Sequence, residues 1–285
     1  KLKIELQDQK RKIEINDIPQ ARPSCMLGKL RAVVFSPEHL ELIKDGPAGR
    51  RKFLDTTICQ LKPAYAQILS NYKRILLQRN SILKNSKKNP KMLDTIDIWD
   101  EKLACFAAKI INQRVKHLEL LKNFAAKEYK GMSGNKEELN VEYKSAAFKE
   151  FQEDIDSLSS EIKKRLLQSR NLDMLSGITS VGAHRDDLEI KINQKSAKLF
   201  SSQGQQRSAV LALKLAETSV LEKTSGESPI FLLDDVMSEL DHSRQDYILN
   251  SIKNRQVFIT CCDPTTILKM KNGAHFEIKN GKIFS

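Results

Sequence analysis

Ser201-Ser202-Gln203-Gly204-Gln205-Gln206-Arg207 begins the decisive stretch, and Ile230-Phe231-Leu232-Leu233-Asp234-Asp235 with Ser238-Glu239-Leu240-Asp241 completes it. A polar helix start leads into an apolar helix, and that helix leads to an apolar strand ending in two carboxylates. The order predicts half of a nucleotide site in an α/β protein.

Ser202 and Gln205 have the spacing of a capping box, in which hydroxyl and amide side chain satisfy each other's backbone donors. Gly204 lets a ligand approach the backbone, and the free amides and dipole of a first helical turn favour phosphate oxygens. From Ala209 to Leu215 only Lys214 is polar, so the helix is expected to be buried. Any well-capped core helix shares these features, and on these residues alone both readings stand.

Ile230 to Leu233 follows the turn-forming Ser225-Gly226-Glu227-Ser228-Pro229 and reads as a strand buried on both faces. Asp234 and Asp235 then stand at its carboxyl end, where open α/β sheets place ligands. Adjacent carboxylates resist desolvation unless a cation or donors compensate. Magnesium is the economical reading: one aspartate holds the ion or its water, and the other orients or deprotonates an attacking water. The competing reading is a strand-to-helix turn in which Asp235 only caps the next helix.

The rest of the composition narrows the class. A chain of 285 residues with 40% apolar content can bury a core. A net charge of +12 favours a polyanionic partner, nucleic acid before membrane. Cys25, Cys59 and Cys105 are isolated and Cys261-Cys262 lacks zinc spacing, so free thiols are expected. Neither a signal-peptide pattern nor a bilayer-spanning apolar run occurs, so a soluble, cytoplasmic protein is expected.

In chain order, Lys1 to Leu6 and Arg11 to Ile15 read as antiparallel strands joined at Asp8-Gln9. Helical periodicity runs from Pro47 to about Leu83, with a kink at Pro63, and again from about Met92 to Lys130. The two helices should pack antiparallel. Lys84, Lys87, Lys88 and Lys91 at the breaker-rich tip could touch DNA phosphates or simply face solvent. A strand is expected at Val141 to Ser145, a helix from Phe148 to about Leu172, and a strand from Asp187 to Ile192. His184-Arg185-Asp186-Asp187 reads either as a cluster facing a nucleotide or partner subunit, or as a local ion-pair network. Val257 to Thr260 reads as a buried parallel strand, and Asn280-Gly281 as a hairpin turn.

Several blocks resemble the RecF family of bacterial recombination-repair proteins. They are Val34-Phe35-Ser36-Pro37-Glu38-His39-Leu40, Gly46-Pro47 with Arg50 to Asp55, Gly182 to Leu188, Phe200 to Arg207, Leu232 to Asp241, and Gln256 to Thr260. They occur in family order across nearly the whole chain. The resemblance implies an α/β ATPase head of the ABC/SMC type, present in part, with an inserted helical second lobe. Its implied boundaries are residues 1–45 for the rest of the amino-terminal ATPase lobe, 46–175 for the helical arm, and 176–285 for the carboxyl-terminal ATPase lobe. No GxxxxGK[ST] occurs, and the resemblance implies that such a phosphate loop precedes Lys1.

The same resemblance implies the site roles. Asp234 would hold magnesium, directly or through water, and Asp235 would take the place of a catalytic glutamate. Ser202, Gln203, Gly204 and Gln205 would bind in trans the ATP of the opposite subunit, and Asp241, in the D-loop, would monitor that junction. Gln203 stands where the wider superfamily has glycine, and Ala183 where the family usually has proline. Aspartate at 235 is shorter than glutamate, so slow hydrolysis is expected. The implied activity is ATP-dependent dimerisation on double-stranded DNA, with RecO and RecR, to load RecA beside single-strand gaps. Two other readings stay open: a nucleotide-independent fragment binding DNA or RecR, and an SMC-like structural head. The latter's arms run for hundreds of residues, whereas each helix here ends within about ten turns.

Overall fold

The computed structural model describes residues 1–7, 10–148, 151, 153–253, 255–262 and 273–284. A three-stranded parallel sheet carries the decisive stretch. Its order is β4 (Ala32–Phe35), β8 (Ile230–Asp234), β9 (Val257–Thr260), with Val33 opposite Phe231 and Phe231 opposite Val257. Side chains alternate faces along each strand. Val33, Phe35, Phe231 and Leu233 therefore share one face, and all are buried in the main core.

The opposite face differs from expectation. Val34 of β4 is 40% exposed and Phe258 of β9 55%, with Leu232 of β8 half-buried between them, so this face of the sheet is only partly covered among the described residues. An apolar strand run signals burial on two faces only when both are packed, and here the packing comes from α6 (Gln203–Ser225) and the helices beyond it.

The expected long helix from Pro47 is two helices. Pro63 removes a backbone donor, and Lys62 turns to φ −132°, ψ 85°, separating α1 (Pro47–Leu61) from α2 (Pro63–Asn85). After a 3₁₀ turn at Pro90–Thr95, α3 (Ile96–Met132) runs for 37 residues and packs against α2, α4 (Ile155–Ser176) and α6. Apolar residues at helical spacing meet in one cluster. Leu103, Ile110, Leu118 and Leu121 from α3 join Ala209, Val210 and Leu213 from α6. A smaller cluster at the far end holds Ile82, Leu83 and Ile96.

Among the described residues there are also three antiparallel sheets. They are β1 (Leu2–Gln7), β2 (Lys10–Ile15) and β3 (Ile18–Gln20); β5 (Leu139–Lys144), β6 (Asp187–Ile192) and β7 (Lys195–Ser196); and the hairpin β10 (Glu277–Lys279) with β11 (Lys282–Phe284). Leu2 pairs with Ile15 and Leu6 with Arg11, the antiparallel return read from the sequence; the Asp8-Gln9 turn lies outside the described residues. Asn280 and Gly281 both take positive φ, 51° and 73°, as a tight hairpin turn requires. The α4 helix starts at Ile155 instead of Phe148, because Asp154 caps it by accepting from the Ser157 amide at 2.7 Å.

Candidate functional site

The α6 start is built as its spacing predicts. After α5 (Ala197–Phe200), Ser202 Oγ accepts from the Gln205 amide at 3.2 Å, and the Ser202 amide donates to Gln205 Oε1 at 2.8 Å. Gln206 is buried and its Nε2 donates to the Ala197 carbonyl at 3.1 Å, which holds the approach to the helix. Ser202 and Gln203 remain exposed. A Cβ on Gly204 would meet Arg244 Nη2 at 3.5 Å, ordinary contact, so no neighbour in the fold demands glycine there.

Gln205 is more committed than a ligand contact requires. Its Nε2 donates to Glu137 Oε1 at 2.6 Å, and Glu137 in turn accepts from the Tyr129 hydroxyl at 2.7 Å. Its side chain serves the cap and the end of α3, and its backbone amide already donates to Ser202 Oγ, so Gln205 holds the helix start in shape. Farther along α6, Lys214 is buried with Glu217 at 2.5 Å, and Thr57 donates to the same carboxylate at 2.9 Å.

At the sheet edge, parallel register sets Asp234 beside Thr260. Thr260 Oγ1 donates to Asp234 Oδ1 at 2.7 Å and accepts from the Asp235 amide at 3.0 Å. Thr260 is the member of this group that sequence reading missed; its place at the end of the neighbouring parallel strand was the available signal. Desolvation does not call for a bound cation at this edge. Asp234 is exposed and Asp235 half-buried, so water already screens their repulsion.

Asp235 itself adopts φ 49°, a left-handed conformation that aspartate tolerates better than most residues. Ser238 Oγ donates to its carbonyl at 3.0 Å. Asp235 is thus no helix cap. That task falls to Asp241, which accepts from the Arg244 amide at 3.0 Å at the start of α7 (His242–Ser251).

The donor set suits magnesium shared with a ligand better than a protein cage. Among the described residues no three metal-ligating side chains cluster. Asp234 Oδ2 accepts no hydrogen bond among them, leaving one exposed carboxylate oxygen beside a second carboxylate. Magnesium is typically held by one or two carboxylates together with phosphate and water.

His184, Arg185, Asp186 and Asp187 each bond within the fold. His184 Nδ1 pairs with the Tyr72 hydroxyl at 2.7 Å and its Nε2 with the Thr179 carbonyl at 3.0 Å. Arg185 Nε donates to that same carbonyl at 3.1 Å. Asp186 is fully buried and accepts from Tyr143, Ser145 and the Ala146 amide. Asp187 meets Arg50 in a two-pronged pair at 2.7 and 3.0 Å. These contacts include one ion pair, Asp187 with Arg50, while Arg185 stays exposed.

The tip lysines Lys84, Lys87, Lys88 and Lys91 are all exposed. Lys87 Nζ donates to the Leu175 carbonyl at 3.0 Å, which draws it to the end of α4.

Burial lowers two imidazoles to about 4: His184, with Arg185, Arg51 and Arg79 nearby, and His117 on α3, with Lys62 nearby. An unfolded imidazole titrates near 6.5. Between these values the unfolded chain binds protons that the folded chain refuses. Their contribution is therefore complete above pH ~6.5 and lost as pH falls to ~4, about 3 kcal/mol for each ring. Melting temperature should drop through that window, and His117→Asn should flatten the drop. A wild-type melting temperature constant from pH 7 to 4.5 would refute it.

No protein-family model matches the chain. It is 43% identical over 281 residues to the DNA replication and repair protein RecF of Ruminiclostridium cellulolyticum, covering 98% of this chain and 76% of that protein. It is 38% identical over 270 residues to RecF of Acetivibrio thermocellus, covering 92% and 72%. A solved structure of the recombination mediator protein RecF with ATPrS, in the RecFOR pathway, superimposes with a TM-score of 0.89 at 39% identity, covering 96% of this chain and 72% of that one. The corresponding RecF-ATP structure gives 0.86 at 38%, with the same coverage. The α/β ATPase-head fold expected from the sequence is the fold of this chain. No helix among the described residues is long and apolar enough to cross a membrane.

Proposed function

Since the chain belongs to the RecF family of bacterial DNA replication and repair proteins, we propose that it holds ATP and magnesium between two copies of itself and grips duplex DNA in that dimer. The observation that carries this reading is the sheet edge, where Asp234 and Asp235 stand side by side, exposed and half-buried, oriented by one Thr260 hydroxyl. Asp234 offers its free oxygen to magnesium, which when bound neutralises phosphate charge. Asp235 orients or deprotonates the attacking water. Ser202, Gln203 and Gly204 meet the γ-phosphate held by the opposite copy, with Gln205 holding their cap in shape and Asp241 at the junction.

ATP then acts as the glue of a homodimer, and hydrolysis separates it. The net charge of +12 suits a duplex phosphate backbone. Within recombination repair, the dimer works with RecO and RecR to place RecA on single strands beside a duplex.

Equilibrium binding to duplex DNA, with and without Mg-ATP, tests the reading in the intact protein. Binding at least about tenfold tighter with Mg-ATP is expected, weakening steeply with salt. Equal affinity in both arms would replace it with a nucleotide-independent DNA- or RecR-binding protein.

A further inference from the structure

Arg244 of α7 stands between two segments that the proposed function uses separately. Its Nε donates to Ser208 Oγ at 2.6 Å, and Ser208 Oγ donates to the Gly204 carbonyl at 3.0 Å. Its Nη1 pairs with Asp241, whose other carboxylate oxygen already caps α7. Nη2 lies over Gly204, 3.5 Å from where a side chain would begin. One planar guanidinium thus spans the first turn of α6 and the turn that follows the two site aspartates.

Stability does not explain this arrangement. Arg244 and Asp241 are 27% and 48% exposed, and ion pairs so placed contribute ~0–1 kcal/mol. Asp241 caps α7 through the backbone amide without needing a guanidinium. What the pair adds is geometry, because a guanidinium presents donors in fixed directions and a lysine ammonium does not.

We propose that Arg244 is a positioning residue that locks the α6 start to Asp241 within one chain, so that nucleotide held at the first aligns the second. The idea rests on the ATP-dimer reading above. In such a dimer each copy offers its α6 start to one nucleotide and its aspartates to the other, so this lock links the two nucleotides. Without it the α6 start and Asp241 move independently, and the dimer closes less tightly.

Two variants cut the link from opposite ends. Arg244→Lys keeps the charge facing Asp241 but cannot also reach Ser208; Ser208→Ala leaves Arg244 and Asp241 in place. Sedimentation of the intact protein with ATP, alongside a fluorescent ATP analogue bound to monomer, reads the result. Each variant should raise the dimerisation midpoint about tenfold, and the double variant no further, since both cut one link. Monomer affinity and melting temperature should stay at wild-type values. Midpoints within about twofold of wild type would overturn the lock and leave the dimer reading intact. A melting-temperature loss that accounts for the shift would also overturn it. A wild-type protein that fails to dimerise with ATP would end the dimer reading and the lock together.

Discussion

Arg79→Met is expected to destabilise the protein by about 3–5 kcal/mol, the cost of removing one partner from a buried charge cluster. Arg79 is fully buried on α2. Its Nε donates to Asp100 of α3 at 2.5 Å, and its Nη1 donates to Asp173 of α4 at 2.7 Å and to Thr179 Oγ1 at 2.9 Å. Asp100 and Asp173 are equally buried. Arg170 still supports Asp100 at 2.6 Å, and the Ser180 amide still supports Asp173 at 3.0 Å, but neither replaces the lost charge at the centre. Arg79→Met combined with Asp100→Asn and Asp173→Asn should recover part of the loss, because the variant then leaves no net charge uncompensated. Denaturant unfolding measures both, and a loss below about 1 kcal/mol for Arg79→Met would mean that the cluster is wet and the three helices are held by packing alone.

That cluster also shows where sequence reading stops. Local rules worked where both partners were close in the chain. The Ser202–Gln205 box and the Asn280-Gly281 hairpin each depend on residues within a few positions. Arg79 meets Asp173 across 94 positions, and nothing in either neighbourhood marks them as partners. The same limit hid β4, a four-residue strand that pairs with β8 from the far end of the chain, and Thr260, whose hydroxyl reaches Asp234 only through parallel register.

Helix boundaries failed for a different reason. Apolar periodicity continues through Pro63 and the approach to Ile155, but backbone donors and caps decide where a helix begins. Lys62 and Asp154 take non-helical conformations there. At the site itself the carboxylate pair was readable as residues, while its exposure was not. The apolar run of β8 predicts burial on both faces, whereas among the described residues one face is packed and the other only partly covered. Magnesium is favoured by an Asp234 oxygen that accepts no hydrogen bond among the described residues and by the neighbouring carboxylate, not by desolvation.

Asp235→Asn is expected to lower ATP turnover in the intact protein by two to four orders of magnitude, roughly what a positioned proton acceptor contributes, while ATP still drives dimerisation. Asparagine is the informative replacement because of the backbone. At φ 49° it tolerates the left-handed conformation as readily as aspartate, and a β-branched or bulky residue would not. The Asp235 amide donates to the Thr260 hydroxyl at 3.0 Å and to its carbonyl at 3.2 Å, and both bonds survive the exchange. So does the Ser238 hydroxyl bond to the residue 235 carbonyl. Only the carboxylate charge and its proton affinity are lost, so the dimer should persist longer after ATP binding. Asp234→Asn should separate from it: removing a charge from the proposed magnesium ligand is expected to weaken Mg-dependent nucleotide binding first, so dimerisation itself falls. Single-turnover hydrolysis and dimer lifetime, measured on both variants, distinguish the two roles. Unchanged turnover in Asp235→Asn would remove the residue from the chemistry and leave its left-handed turn as a purely structural link between the sheet edge and the Asp241 cap.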